Sequence, residues 1–223
     1  SSPDVVRVET VYKVGGIFRN HQACSVDYKV TVPTRTSVNV SVVSSSADVR
    51  GVDGDHSIST VSGDLDIHEL SGRLKLNAVS GRVRGTAITG PMKVETVSGD
   101  ITFKDCRSVR VNGSSVSGDL EFDLVPGEGP YQFNSVSGNV ELTIPAGTGC
   151  SLTLSSMSGR LVVDSADGTN SWGRGQKTAT ILGGGPSVAL KSISGDLRLK
   201  QRSYSGQAPV PPPPPVPPVG ESA

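Results

Sequence analysis

Cysteine, histidine and aromatic residues are scarce in this chain of 223 residues. The three cysteines, Cys24, Cys106 and Cys150, match neither a disulfide framework nor a C-x-x-C zinc motif, so we expect buried thiols, with one disulfide and a free thiol as the alternative. The three histidines share no ligand spacing with cysteine or glutamate, which argues against zinc. Four Phe, four Tyr and one Trp are too few for a surface that stacks single-stranded bases.

An excess of either charge is also missing, because 21 Lys and Arg residues balance 21 Asp and Glu residues. Duplex nucleic acid and anionic lipid both favour a basic surface, so neither is predicted as the main partner. No apolar run reaches the roughly 18 residues of a membrane span, so none is predicted. The opening letters, SSPDVV, lack the charged and apolar segments of a signal peptide, and we expect either a cytoplasmic protein or a mature form.

Glycine, by contrast, is abundant, with 27 residues, and its spacing repeats. From Gly54 to Gly99 it recurs every nine residues, and Ser-Gly pairs continue at steps of 18 to 21 residues, with a last step of 36. A fixed period of this kind is the signature of a repeat fold. The residues that we expect to form structural corners are Ser62, Gly63, Ser80, Gly81, Ser98, Gly99, Ser117, Gly118, Ser137, Gly138, Ser158, Gly159, Ser194 and Gly195.

Apolar residues keep a constant phase relative to these glycines. They lie two residues before each glycine and two and four residues after it, as Val97, Ile101 and Phe103 do around Gly99. Alternation with a period of two residues predicts short β-strands with one buried face, so these apolar positions are all expected to be buried. The phase breaks at Gly85, where a large side chain is expected.

We therefore predict an all-β fold, a parallel β-solenoid with coils of about 18–21 residues and Ser-Gly corners. A stack of hairpins is the alternative. The solenoid explains the constant phase better, because every strand then pairs with its copy in the next coil. The predicted domain covers residues 1–204, with an N-terminal cap over about 1–27 and coils over about 28–200. Residues 205–223 are rich in proline and predict a disordered tail, which is either a linker or a ligand for an aromatic groove.

A Ser-Gly-Asp corner could also be a chemical site. Calcium-binding nonapeptides carry Asp two residues after their last glycine, where this chain has an apolar residue. A glycoside hydrolase or lyase needs paired carboxylates, but the residues after the corner glycines mix acids with Arg82, Asn139 and Arg160, as expected of a structural column. No catalytic residue, metal ligand or cofactor is therefore predicted. Instead, glycine allows a sharp turn with positive φ, and serine is expected to bond the local backbone and its copies in neighbouring coils.

The length of the repeat varies on one side only. Spacing between each corner and its flanking strands is constant, and insertions lie between the end of one strand and the start of the next. In solenoids such insertions gather on the face that often binds a partner. The longest insertion contains NSWGRGQK, so Trp172, Arg174 and Lys177 form a candidate interaction loop. As the alternative, Trp172 folds back over the last coils.

Five corner triplets carry a resemblance to a known family. They are Ser62-Gly63-Asp64, Ser98-Gly99-Asp100, Ser117-Gly118-Asp119, Ser137-Gly138-Asn139 and Ser194-Gly195-Asp196. With coils of nearly twenty residues, they resemble the corners of a large bacterial family of adhesins and domains of unknown function, and the resemblance covers about residues 28–200. It implies a β-solenoid protein that is not an enzyme, is often associated with the cell envelope, and has no shared catalytic residues.

The leading functional prediction is a non-catalytic structural or adhesive module, secreted or on the bacterial cell envelope. Its partner would be an unidentified protein or glycan. One alternative is a carbohydrate-active enzyme of the β-helix type, and another is an intracellular scaffold that binds through its polyproline tail. Because the open ends of a solenoid expose unpaired strands, end-to-end or side-by-side self-association is a further expectation.

Overall fold

The computed structural model describes residues 29–165 and 168–202, which form eighteen β-strands and contain no helix that could span a membrane. The chain divides into two compact units, residues 1–31 and residues 32–223, and the strands belong to the second. The strands are β1 (Asn39–Val42), β2 (Ala47–Arg50), β3 (Asp53–Ser62), β4 (Leu65–His68), β5 (Ser71–Ser80), β6 (Val83–Thr86), β7 (Met92–Thr96), β8 (Ile101–Ser108), β9 (Val111–Ser115), β10 (Leu120–Pro126), β11 (Tyr131–Ser135), β12 (Val140–Pro145), β13 (Cys150–Ser156), β14 (Leu161–Ser165), β15 (Gly168–Trp172), β16 (Gly175–Ile181), β17 (Ser187–Ser192) and β18 (Leu197–Arg202).

These strands form two sheets of nine, and each coil contributes one strand to each sheet. The first sheet has the order β1-β3-β5-β7-β9-β11-β17-β13-β16, and the second has the order β2-β4-β6-β8-β10-β12-β18-β14-β15. Neighbouring strands are parallel throughout, apart from the last pair of each sheet. The arrangement confirms the predicted parallel β-solenoid.

Apolar side chains from both sheets fill the interior between them. Leu65 and Ile67 of β4 are fully buried and are in register with Val83 and Gly85 of β6. The large side chain that was expected at position 85 comes from the neighbouring coil instead: a Cβ atom on Gly85 would lie 2.5 Å from Cδ1 of Phe103. The break in the sequence pattern therefore preserves close packing, because a large residue in one coil fills the space that a small one leaves in the next.

The corner glycines form a column in which adjacent coils touch through their backbones. A Cβ atom on Gly138 would lie 2.0 Å from the carbonyl oxygen of Gly118, and one on Gly195 would lie 2.0 Å from that of Gly138. Of the corner glycines, Gly81 has a positive φ, whereas the others do not. The prediction that they permit a turn with positive φ is therefore wrong for most of them, and their role is to allow close approach of two backbones.

The order of the coils in space departs from their order in the chain near the C-terminal end. Strand β17 pairs with β11 on one side and β13 on the other, and β18 pairs likewise with β12 and β14. Residues 187–202 therefore lie between two coils that precede them in sequence. The expectation that every strand pairs with its copy in the next coil is wrong at this point, because β13 and β14 leave a gap of one coil that the last strands fill.

Basic side chains of β18 tie this inserted coil to its neighbours. Lys200 Nζ lies 2.5 Å from Oε1 of Glu141 in β12, and Arg198 Nε lies 3.5 Å from Oδ2 of Asp164 in β14. Arg202 pairs with a carboxylate of β10. Partly exposed ion pairs contribute at most about 1 kcal/mol each. We infer that these charges favour this position for β18, while its buried leucines supply most of the stabilising contact.

The longest insertion forms a reversed coil rather than an edge loop. Strand β15 runs antiparallel to β14, and β16 runs antiparallel to β13, so each becomes the last strand of its sheet. Trp172 of β15 and Ala179 of β16 are partly buried and pack against the apolar core. The predicted N-terminal cap over residues 1–27, the tail over residues 205–223 and Cys24 lie outside the described residues.

Replacing Gly138 by alanine tests the close backbone contact in the glycine column. We expect Gly138→Ala to lower the free energy of unfolding by about 1–3 kcal/mol, because the new methyl group overlaps a backbone carbonyl. Urea denaturation provides the measurement. Gly173→Ala is the matched control, since no atom lies within 4 Å of its Cβ position, and its effect should stay within about 0.5 kcal/mol. Equal effects of the two substitutions would contradict the contact.

Candidate functional site

The first residue of the corner motif is buried, and at every corner except the one that begins with Ala78 it is a Thr or Ser whose hydroxyl group closes the corner. Oγ1 of Thr96 accepts the N–H of Gly99 and donates to the Gly99 carbonyl, both at 3.0 Å. Ser115 and Ser135 accept the N–H of their own corner glycines at 2.9 Å. These bonds satisfy backbone groups that are shielded from water. The buried members are Thr60, Thr96, Ser115, Ser135, Ser156 and Ser192.

The second residue of each motif points outward, so the expectation that this apolar position is buried is wrong. Val97, for example, is 46% exposed. Because Thr96 takes the inward position and side chains alternate along a strand, the next residue must face the solvent. Stacked coils turn these side chains into a continuous apolar row, here named the valine ridge. The ridge consists of Val43, Val61, Val79, Val97, Val116, Val136, Ile193 and Met157.

The third residue, the corner serine, contributes less than predicted. Most corner serines are exposed, and among those that the structure describes Ser80 donates a hydrogen bond to the neighbouring coil, at 3.0 Å from the Val61 carbonyl oxygen. The bonding that was predicted for serine is made mainly by the buried hydroxyl of the first motif residue and by the residue after the glycine.

Where the residue after a corner glycine is Asp or Asn, its side chain links one coil to the next, whereas Arg82 and Arg160 take part through their backbone N–H. Oδ1 of Asp100 accepts the backbone N–H of Asp119 at 3.1 Å, and Oδ1 of Asp119 accepts that of Asn139 at 2.8 Å. The series continues with Asn139 and Asp196 at 2.9 Å, and with Asp196 and Arg160 at 2.7 Å, in the spatial order of the coils. These carboxylates therefore serve as acceptors for a backbone ladder, as predicted for a structural column.

Cys106, Cys150 and His56 lie in the interior, whereas His68 is partly exposed. Cys106 and Cys150 are free, buried thiols. Burial raises the pKa of Cys106 to about 11 and raises the pKa of Cys150 as well, so both thiols resist ionisation. His56 is buried, with Nδ1 3.3 Å from the N–H of Val38 and Nε2 3.0 Å from the Ser71 carbonyl oxygen. The described residues contain no group of His, Cys, Asp and Glu that could hold a metal ion.

The predicted interaction residues Trp172, Arg174 and Lys177 lie in the reversed coil. Trp172 is in register with Leu161 and packs on the core, in agreement with the alternative that it covers the last coils. Arg174 lies between β15 and β16 and is exposed, and Lys177 is exposed on β16 in register with Leu154. The structure thus separates a partly buried tryptophan, which packs on the core, from two surface cations, and the role of all three residues in binding remains a prediction.

A cluster of cations that the sequence did not reveal lies on the outer face of the first sheet. Arg73 and Lys75 of β5, Lys93 of β7 and Arg110, just before β9, line a shallow groove of about 590 Å³, here named the basic groove. Lys75 and Lys93 are directly in register. Their spacing of 18 residues, one coil of the repeat, is the signal in the sequence for this cluster.

Comparison with family models identifies the solenoid. The model of the Toastrack DUF4097 family matches residues 27–200. The chain belongs to this family. The Toastrack region therefore spans all eighteen strands apart from the last two residues of β18. It is a β-solenoid domain of unknown function. No curated protein and no solved structure matches the chain significantly.

Substitutions at the first two positions of one corner test the inward and outward assignments. We expect Thr96→Val to lower the free energy of unfolding by about 1–3 kcal/mol, because two buried backbone groups of Gly99 lose their partner. The neighbouring change Val97→Thr should stay within about 0.5 kcal/mol, since that side chain is exposed. Thermal or urea unfolding of both variants provides the measurement. A larger effect of Val97→Thr would reverse the assignment.

Proposed function

We propose that this Toastrack domain is a non-catalytic structural and adhesive module of the bacterial cell envelope. The observation that carries the proposal is the carboxylate column. Its acids could have served general acid and base catalysis, but Asp100, Asp119 and Asp196 each accept a backbone N–H of the adjacent coil. The carboxylates that would be the catalytic acids of a β-helix enzyme therefore accept structural hydrogen bonds between coils.

The surface of the solenoid supports a binding role. The valine ridge and the basic groove are exposed features that extend over several coils, whereas the interior is filled by apolar side chains. Exposed apolar rows and clusters of one charge are common on surfaces that contact partners. Because each coil repeats the same geometry, such features become long and straight, which suits attachment to an extended partner.

An activity assay with a conservative variant tests the non-catalytic part. We expect the purified chain to release no reducing ends or unsaturated products from a panel of neutral and acidic polysaccharides, because the column acids are engaged by the backbone. Asp119→Asn is the control variant, since Asn139 shows that an amide oxygen can make the same ladder bond. Product formation that disappears in Asp119→Asn would favour the enzyme instead.

The location in the envelope is tested separately. Fractionation of the bacterium that produces the natural protein, followed by immunodetection, should recover the protein with the envelope or in the medium. Recovery in the cytosol would contradict the proposed location and would favour the intracellular scaffold, whose polyproline tail lies outside the described residues.

A further inference from the structure

Three of the four cations that line the basic groove lack an acidic partner within ion-pair distance among the described residues. Lys93 lies 3.0 Å from Glu95 on its own strand. Arg73, Lys75 and Arg110 form no ion pair within the part of the chain that the structure describes. In contrast, the three basic residues of β18 all pair with carboxylates of neighbouring strands. Four cations and one carboxylate, that of Glu128, line the groove, and Asp55 of β3 lies in register with Arg73. The groove thus carries a local excess of positive charge on a chain without net charge.

The register of the strands places like charges next to each other. Lys75 and Lys93 are Cα partners on adjacent parallel strands, which are about 4.8 Å apart. Like charges directly opposite one another destabilise a sheet. The pairing of β5 with β7 and of β7 with β9 places Arg73 and Arg110 two strands apart, on either side of Pro91. An anion with charges on more than one group would relieve this repulsion, and the groove is open to receive it.

We propose that the basic groove binds a segment of an acidic polysaccharide. Arginine and lysine side chains pair with the carboxylate, sulfate or phosphate groups of such a polymer, and an arginine can do so through two parallel hydrogen bonds. The groove also offers the contacts that a sugar ring requires. Pro91 and the half-exposed Val109 provide an apolar surface, while Asn112 and Glu128 provide hydrogen-bonding groups for hydroxyls.

Other polyanions fit the groove less well. A duplex nucleic acid is normally held by six to ten phosphate contacts, roughly twice the number that four cations in a short groove can supply. The groove contains no aromatic side chain on which a single-stranded base could stack. An anionic membrane attracts protruding basic segments, whereas these cations line a depression.

The inference rests on the proposed adhesive role, for which it names the ligand class, and it is tested on the purified chain. The probes are oligogalacturonate as the acidic glycan and neutral dextran of similar length, with binding measured by calorimetry at low salt. We expect oligogalacturonate to bind and dextran not to bind, and added salt should weaken binding. Arg73→Gln with Arg110→Gln should weaken it at least about tenfold, because two charge-assisted contacts are lost.

The matched control is Arg82→Gln with Arg160→Gln, which removes the same charge from two exposed residues after corner glycines, outside the groove, and should change affinity less than about twofold. Thermal unfolding of Lys75→Gln gives a second readout, because removal of like-charge repulsion should leave the midpoint unchanged or raise it.

The proposal is overturned if the Arg73 and Arg110 double variant binds like the wild type or if dextran binds equally well. It is also overturned if phosphatidylglycerol vesicles or duplex DNA bind while acidic glycan does not. None of these outcomes bears on the location of the protein or on the absence of catalysis, so failure here is distinguishable from failure of the proposed function.

Discussion

The close contact between corner glycines is the constraint on which the rest of the solenoid depends. At this column the backbone of one coil touches the backbone of the next, and Gly138 has no room for a Cβ atom beside the Gly118 carbonyl. Each corner glycine therefore lies directly over the corner of the adjacent coil, which is itself a glycine except at Gly63, which lies over Ser45. That requirement fixes the register of both sheets, stacks like residues on like residues, and turns single side chains into rows.

Every position of the corner motif has a task in this stack. In the corner that begins at Thr96, the hydroxyl closes the turn, Val97 is exposed, Gly99 permits the contact between coils, and Asp100 accepts an N–H of the adjacent coil. Because the motif residues hold the coils together, few of their polar groups remain available for catalysis or ligand binding. Binding residues are therefore expected in the outward-facing rows that stacking creates, where a substitution does not disturb the core.

The repeat in the sequence predicted the fold, because the constant spacing of apolar residues from the corner glycines indicates where each strand and each corner lies. The apolar character of Val97 led to the wrong side for this residue, because the alternation along β7 places Thr96 inward and Val97 outward. The repeat also did not predict that β17 and β18 enter between earlier coils, because equivalent coils have equivalent patterns. Ion pairs such as Lys200 with Glu141 and Arg198 with Asp164 distinguish this position, and they become visible only in the folded chain. The basic groove was missed for a related reason: its cations are distant in sequence and meet through register.

The order of the last coils is tested most directly by disulfide trapping in a Cys24→Ser background. Asn134 and Lys191 are Cα partners on β11 and β17, whereas Ser155 lies one strand further away, on β13. Cysteines at 134 and 191 should form a disulfide under mild oxidation, and cysteines at 134 and 155 should not, because their Cα atoms would be more than about 7 Å apart. Peptide mapping identifies the bond. Efficient bonding of 134 with 155 instead would show that the coils stack in chain order and would contradict the account.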